Sequence, residues 1–375
     1  MKVMRFGGYV LFLLLISACT SAPNVTLSIE DYGAVAGSTC TEAIQSAIDA
    51  CSEQGGGRVV IPSGVFRSAT LYLRDKVELY LEEGAVLQGV EAPDAYAPYI
   101  PQHDLTRYDS GNGTANANCV NDRQWMKAFI IGDGVADAVI GGPGTIDGSH
   151  VFDVRGEENM RGPHTIIVAE AEGFRMQDVH ITRASNYAFL GYAMEAPLFE
   201  NVTITEGWDG IHIRGAKDAV IRNCSFQTGD DSIAGGYWDN MLIEGCEINS
   251  SCNGIRIIMP CDGVVIRDSH FYGPGVYPHR TSGEARRCNM LFGVCLEPGA
   301  WGKASGTMRH ILLKDLTMEN LSSPVATSVR EGSVAEDLTL QNITGTGLTG
   351  ALTPVVCWND LGFRTVTVEN CSYSR

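Results

Sequence analysis

Five segments of the chain can be laid over one another: FRMQDVHITRAS from Phe174, PLFENVTITEG from Pro197, AVIRNCSFQTG from Ala219, MLIEGCEINSS from Met241 and VVIRDSHFYGP from Val264. Each reads as a short strand, a polar or small residue, and a second short strand. With Asp178, Asn201, Asn223, Gly245 and Asp268 as the shared position, the intervals are 23, 22, 22 and 23 residues, and HILLKDLTMEN places Asp315 a further 47 residues on, two periods. A repeat of this size, built of strands with no helix in each unit, predicts an all-β fold, a parallel β-helix whose coils stack about 4.8 Å apart. The 43 glycines among 375 residues suit so many turns. Length alone would suggest two or three domains, but a regular repeat runs this far as one body. The position after the shared one reads Val179, Val202, Cys224, Cys246, Ser269 and Leu316, a mostly apolar column. Cys224 and Cys246 are therefore expected in the core, with a bridge between neighbouring coils as the alternative.

Outside the repeat, Thr39 to Ser52 reads as an amphipathic helix ended by Gly55, Gly56 and Gly57, placed to cover the open edge of the solenoid. RVVIPSGVF and VELYLEEGAVLQG look like the first coils, and Pro93 to Asn121 like a long surface loop, a wall or lid. Lys2, Arg5, an apolar run from Val10 to Ile16 and Ser17-Ala18-Cys19 form a secretory signal resembling a bacterial lipobox. The expectation is cleavage after residue 18, lipid on Cys19, a linker over 19–26 and one catalytic β-helix domain over 27–375. Cleavage near Ala22 without lipid is the alternative. This implies a bacterial cell-envelope protein held to the membrane through Cys19.

The formal charge of −17 becomes −19 once Lys2 and Arg5 are removed. Such a surface argues against nucleic acid and for a neutral or locally clamped substrate. Eleven cysteines lie beyond Cys19 without paired CxxC spacing, so no metal site and no cofactor is expected. Cys40 and Cys51 sit about 16 Å apart on the expected helix and cannot pair with each other.

The stretch TGDDSIAGG from Thr228 to Gly236 carries adjacent aspartates. Asp209 and Asp231 each lie eight residues beyond the shared turn position, and the same place holds Asn186 one coil earlier and Asn253 one coil later. Stacking like charges across strands is unfavourable, so Asp209, Asp231 and the neighbouring Asp230 are read as a catalytic cluster, with calcium binding or turn capping as alternatives. Ile211, Ile233 and Ile255 form an inward ladder, which points His212, Ala234 and Arg256 outward beside the acids. Asn186, His212, Asn253 and Arg256 become candidate substrate contacts, or simple surface residues. Trp208 and the Tyr237-Trp238 pair offer flat faces for sugar rings, or pack between loops.

The chain resembles glycoside hydrolase family 28, the polygalacturonase-like enzymes, through DYGAVAG, AIQSAIDAC, GGGRVVIPSGVF, GGPGTIDG at Gly141 to Gly148, SNYAF at Ser185 to Phe189, WDGIHI and TGDDSIA. The resemblance implies a single-stranded right-handed parallel β-helix and inverting hydrolysis of a polysaccharide or oligosaccharide by a monomer. Asp230 would act as general acid while Asp209 and Asp231 hold and activate water, with carboxyl groups about 6.5 to 9.5 Å apart. Neighbouring negative charge would help keep one carboxyl protonated.

Two family motifs are missing. SSCNGIRI puts Cys252 and Asn253 where Gly-His-Gly is expected, and the region around LFGVCLEPGAWGK holds no Arg-Ile-Lys clamp for a uronate. Arg256 is the candidate replacement, and the substrate is expected to be a pectin-like or other complex glycan. Two alternatives remain: a calcium-assisted lyase using Arg214 and Arg256, and a glycan-binding surface protein. The inserts Pro93 to Asn121 and Tyr272 to Met290 are expected to shape the cleft, and PHRTSGEARRC, with His279 and three arginines, reads as an anion-binding wall or a solvated loop.

Overall fold

The computed structural model describes residues 25–109, 118–302, 306–359 and 361–375. The expected signal and Cys19 lie outside these residues, as does the start of the linker. Among the described residues no helix is long and apolar enough to cross a membrane.

The strands stack coil on coil as a right-handed parallel β-helix. On one face the register runs Ile166, Phe189, Ile211, Ile233, Ile255, Val294 and Val325. On a second it runs Met176, Phe199, Ile221, Ile243, Ile266, Leu313 and Leu340. A third carries Ile181, Ile204, Phe226, Ile248 and Phe271. These inward ladders form one continuous core.

The physical cause of the repeat lies in its shared position. Asp178, Asn201, Asn223, Gly245, Asp268 and Asp315 all adopt the left-handed conformation, with φ between 50° and 63°. Asn, Asp and Gly tolerate that region best, so the sharp corner selects them. Asn201 Nδ2 donates to Asp178 Oδ1 at 2.9 Å, tying one corner to the next. Cys224 and Cys246, one residue on, are buried free thiols.

Helix Thr41–Glu53 buries Ile44, Ala47, Ile48 and Cys51 in the same core. The Pro93 to Asn121 segment is more than a surface wall. Tyr99, Leu105 and Val120 join Trp125, Tyr187, Tyr192 and Trp208 in a second cluster on the outer face of the coils; residues 110–117, most of GNGTANAN, lie outside the described residues.

Phe226 is fully buried, and its ring fills the space a Cβ at Gly210 would need, next to Asp209. Phe226→Ala is expected to cost about 3–5 kcal/mol, read as a lower urea midpoint with an unchanged slope. A loss under about 1 kcal/mol would mean that the coil closes over the cavity.

Candidate active site

Asp209 precedes strand Ile211–Arg222 and Asp231 precedes strand Ile233–Glu244, while Asn253 opens strand Asn253–Ile257. The Gly210 amide donates to the Asp231 carbonyl at 3.0 Å and the Ser232 amide to the Asn253 carbonyl at 3.2 Å. Asp209, Asp231 and Asn253 thus occupy matching places in three adjacent coils. Asn186 does not join them. The Ala188 amide donates to the Asp209 carbonyl, and Phe189 pairs with Ile211, so the 22-residue register aligns Tyr187 with Asp209, while the sequence interval from Asp178 to Asn201 is 23. Asn186 is instead buried, its amide donating to the Gly162 carbonyl at 3.5 Å.

One carboxylate oxygen from each of Asp209, Asp230 and Asp231 lies within 4.8 Å of the others. This is tighter than the expected 6.5–9.5 Å between carboxyl groups. It matches what one water needs to bridge two acceptors, since two hydrogen bonds of about 2.7–2.8 Å at a near-tetrahedral angle span about 4.5 Å. Asp209 and Asp231 are 3% exposed, whereas the Asp230 side chain is 15% exposed and is the member nearest solvent.

Each acid has its own partner. His212 Nδ1 meets Asp209 Oδ2 at 2.7 Å. Asn253 donates to Asp231 Oδ1 from its backbone at 3.1 Å and from Nδ2 at 2.7 Å. Asp230 Oδ2 faces His279 Nε2 at 3.3 Å and Arg161 at 3.6 Å. These surroundings separate the three groups electrostatically. Burial, then the Asp230 and Asp231 charges, raise Asp209 well above the usual carboxylate range. Burial, then Asp230, push Asp231 up to about 6. Burial also opposes the charge of Asp230, yet the His279 hydrogen bond and the charges of Arg161, His279 and Arg256 hold it low. Burial and mutual repulsion thus favour the protonated form on the buried pair rather than on Asp230.

Several expected substrate contacts are placed elsewhere. His212 is fully buried, sandwiched between Tyr187 at 4.7 Å and Trp301 at 5.6 Å. Burial and the Arg214 charge keep it neutral, and Arg214 Nε points at its Nε2 from 3.4 Å, so Nδ1 carries the hydrogen that Asp209 accepts. It is held against Asp209 and offers no open face. Arg256 is bound through Nε and Nη2 to Glu297 at 3.0 and 2.8 Å and lies 3.8 Å from Asp231, so it is not a free clamp. Trp238 is a core residue, with Nε1 donating to the Ile213 carbonyl at 2.9 Å. Trp208 is fully buried beneath Arg161, Arg280 and Phe152. Neither indole offers an open face.

Sequence reasoning misses Arg161, Glu297 and Trp301, and reads His279 only as part of an anion-binding wall or a solvated loop. The signal that existed was the charged run PHRTSGEARRC, which folds back so that His279 reaches the acids. Beside them opens a cleft of about 330 Å³, lined by Phe152, Glu206, Tyr277, His279, Arg280 and Arg286. Its wall is cationic on an acidic protein. The three acids could in principle gather calcium, but Arg161 and Arg256 already supply countercharge there.

The description "right handed beta helix region" fits residues 164–291. The chain is 28% identical over 262 residues to the exo-poly-alpha-D-galacturonosidase of Dickeya chrysanthemi, covering 58% of this chain and 43% of that protein, so it spans less than half of that relative's length. Among solved structures, it matches a hyperthermoactive exopolygalacturonase from Thermotoga maritima with a TM-score of 0.65 at 17% identity, over 93% of this chain and 92% of that one. It also matches a Streptococcus pneumoniae surface protein and adhesin with a TM-score of 0.58 at 14% identity, over 94% and 98%. At such identities the solved structures speak to the fold alone.

Proposed function

We propose that this chain, a divergent relative of the polygalacturonase-like enzymes of glycoside hydrolase family 28, hydrolyses a glycosidic bond in a pectin-like or other complex polysaccharide from a lipid anchor at Cys19 in a bacterial cell envelope. The observation that carries the reading is the acid cluster: three carboxylates on adjacent coils, held at different protonation tendencies, at the side of a cleft. Like charges at this spacing destabilise the fold, so their presence together points to chemistry rather than to structure.

Asp209 and Asp231 hold the attacking water between them. Asp230, the most accessible acid, faces the leaving oxygen. His279 Nε2 faces Asp230 Oδ2 at 3.3 Å and fixes the carboxyl beside the leaving oxygen. Although the carboxyls sit closer than the usual inverting spacing, the buried acids are tied to His212 and Asn253 and reach the anomeric carbon through water, so the outcome is inversion. Arg280 and Arg286 on the cleft wall suit an acidic sugar.

The lyase alternative rests on Arg214 and Arg256, but Arg214 is fully buried against the Asn118 carbonyl and Tyr192, and Arg256 is paired with Glu297. The adhesin alternative predicts bound but unchanged glycan.

The test is to incubate the protein with pectic and other plant or algal glycans, with and without chelator. Mass spectrometry should find products heavier by one water, and proton NMR of the first turnovers should find the anomer opposite to the substrate's. Unsaturated products would establish a lyase, and intact glycan with measurable binding would establish a binding protein.

A further inference from the structure

We propose that Asp230, Cys252 and His279 form a binding site for a soft divalent cation, best suited to zinc. The three come from separate pieces of chain: the turn before strand Ile233–Glu244, the turn between strands Glu247–Ser250 and Asn253–Ile257, and the insert after strand His270–Tyr272. One ligating atom from each lies within 4.8 Å of the other two. A carboxylate oxygen, a thiol sulfur and an imidazole nitrogen form a donor set that zinc accepts and that calcium and magnesium, which prefer oxygen, do not.

Distance agrees with chemistry. Zinc bonds to nitrogen and oxygen of about 2.0–2.1 Å at a tetrahedral angle separate the two donors by about 3.3–3.4 Å. His279 Nε2 and Asp230 Oδ2 are 3.3 Å apart. All three residues are partly exposed, and His279 also lines the cleft, so an ion and a solvent ligand can enter from that side.

Charge is the main obstacle, because Arg161 stands 3.6 Å from the same Asp230 oxygen. Against it, Arg161 is held more closely by Glu158, at 2.8 Å, so its charge is already paired outside the site. Burial and the Asp231 and Asp230 charges keep the Cys252 thiol protonated, and a cation placed beside it reverses that preference. Binding therefore releases a proton.

An occupied site would withdraw Asp230 and His279 from proton transfer, making zinc an inhibitor. That consequence rests on the hydrolase reading, whereas binding itself does not. The test titrates the chelator-treated protein with cobalt(II), a spectroscopic stand-in for zinc, and with zinc by calorimetry. The expected results are a sulfur-to-cobalt charge-transfer band with tetrahedral visible bands, displaced by zinc. Cys252→Ser should lose the charge-transfer band and weaken zinc by more than the roughly 10–100-fold that loss of an outer-shell partner costs. His279→Gln should also weaken zinc, while Cys288→Ser, in the same insert, should keep the band. If hydrolysis is found, Cys252→Ser should retain it and resist zinc. Absence of the band, or zinc affinity unchanged in both Cys252→Ser and His279→Gln, would overturn the proposal. Zinc binding in a protein that cuts no glycan would leave this site standing and remove the hydrolase.

Discussion

Asp230→Asn lowers kcat on polysaccharide by about 10²- to 10⁴-fold, the usual contribution of a positioned general acid, while KM changes little. An amide fits the space but cannot pass a proton to the leaving oxygen. The loss should shrink on a substrate whose leaving group departs without protonation, such as a nitrophenyl glycoside. That contrast separates chemistry from structure, since Asp230 also faces Arg161 and His279, although Arg161 keeps Glu158 at 2.8 Å when Asp230 is changed. Equal losses on both substrates, with unchanged circular dichroism, would remove Asp230 from the acid role.

Asp231→Asn produces the second large effect, in two opposite directions. Turnover falls by a comparable factor because one of two water-holding carboxylates is gone, yet the protein becomes more stable at neutral pH. Burial and the nearby Asp230 charge push the Asp231 carboxyl up to about 6. An acid whose pKa is raised on folding costs stability above that value and nothing below its unfolded value near 3.8. The amide avoids the cost, so urea unfolding at pH 7 should show a gain on the order of 1–3 kcal/mol, fading as pH falls from about 6 to about 4. Removing this charge also lets Asp209 ionise at lower pH, moving the acidic limb of the residual activity downward. A variant less stable at pH 7 than at pH 4, relative to wild type, would show that the Asn253 bonds and Arg256 outweigh the repulsion.

What the sequence reveals depends on whether the period carries it. The left-handed corners at Asp178 through Asp315 and the column Asp209, Asp231, Asn253 recur with the coil, so spacing alone located them. Asn186 was misplaced because a 23-residue interval at the corner becomes 22 at the strand. Trp238 was misplaced because Gly235 and Gly236, at φ of 132° and 155°, and Tyr237 at 53° reset the alternation after Ala234 and turn the indole inward. At Gly235 a Cβ would meet the Ile213 carbonyl at 1.9 Å, which is why no side chain holds the parity there. His212 does stand on the face beside the acids, but Trp301 and Tyr187 close over it. Arg161, His279 and Trp301 arrive from irregular segments with no period to read.

The insert bearing His279 lengthens one coil, with 39 residues between Ile255 and Val294 where 22 separate Ile233 from Ile255, yet both pairs stay in register. The backbone absorbs the detour at a corner and resumes its ladder as if nothing intervened. The scaffold therefore behaves like a rack with interchangeable fittings. The acids are fixed to the rails, and the loop that lines the cleft can be exchanged, lengthened or transplanted between coils without moving them.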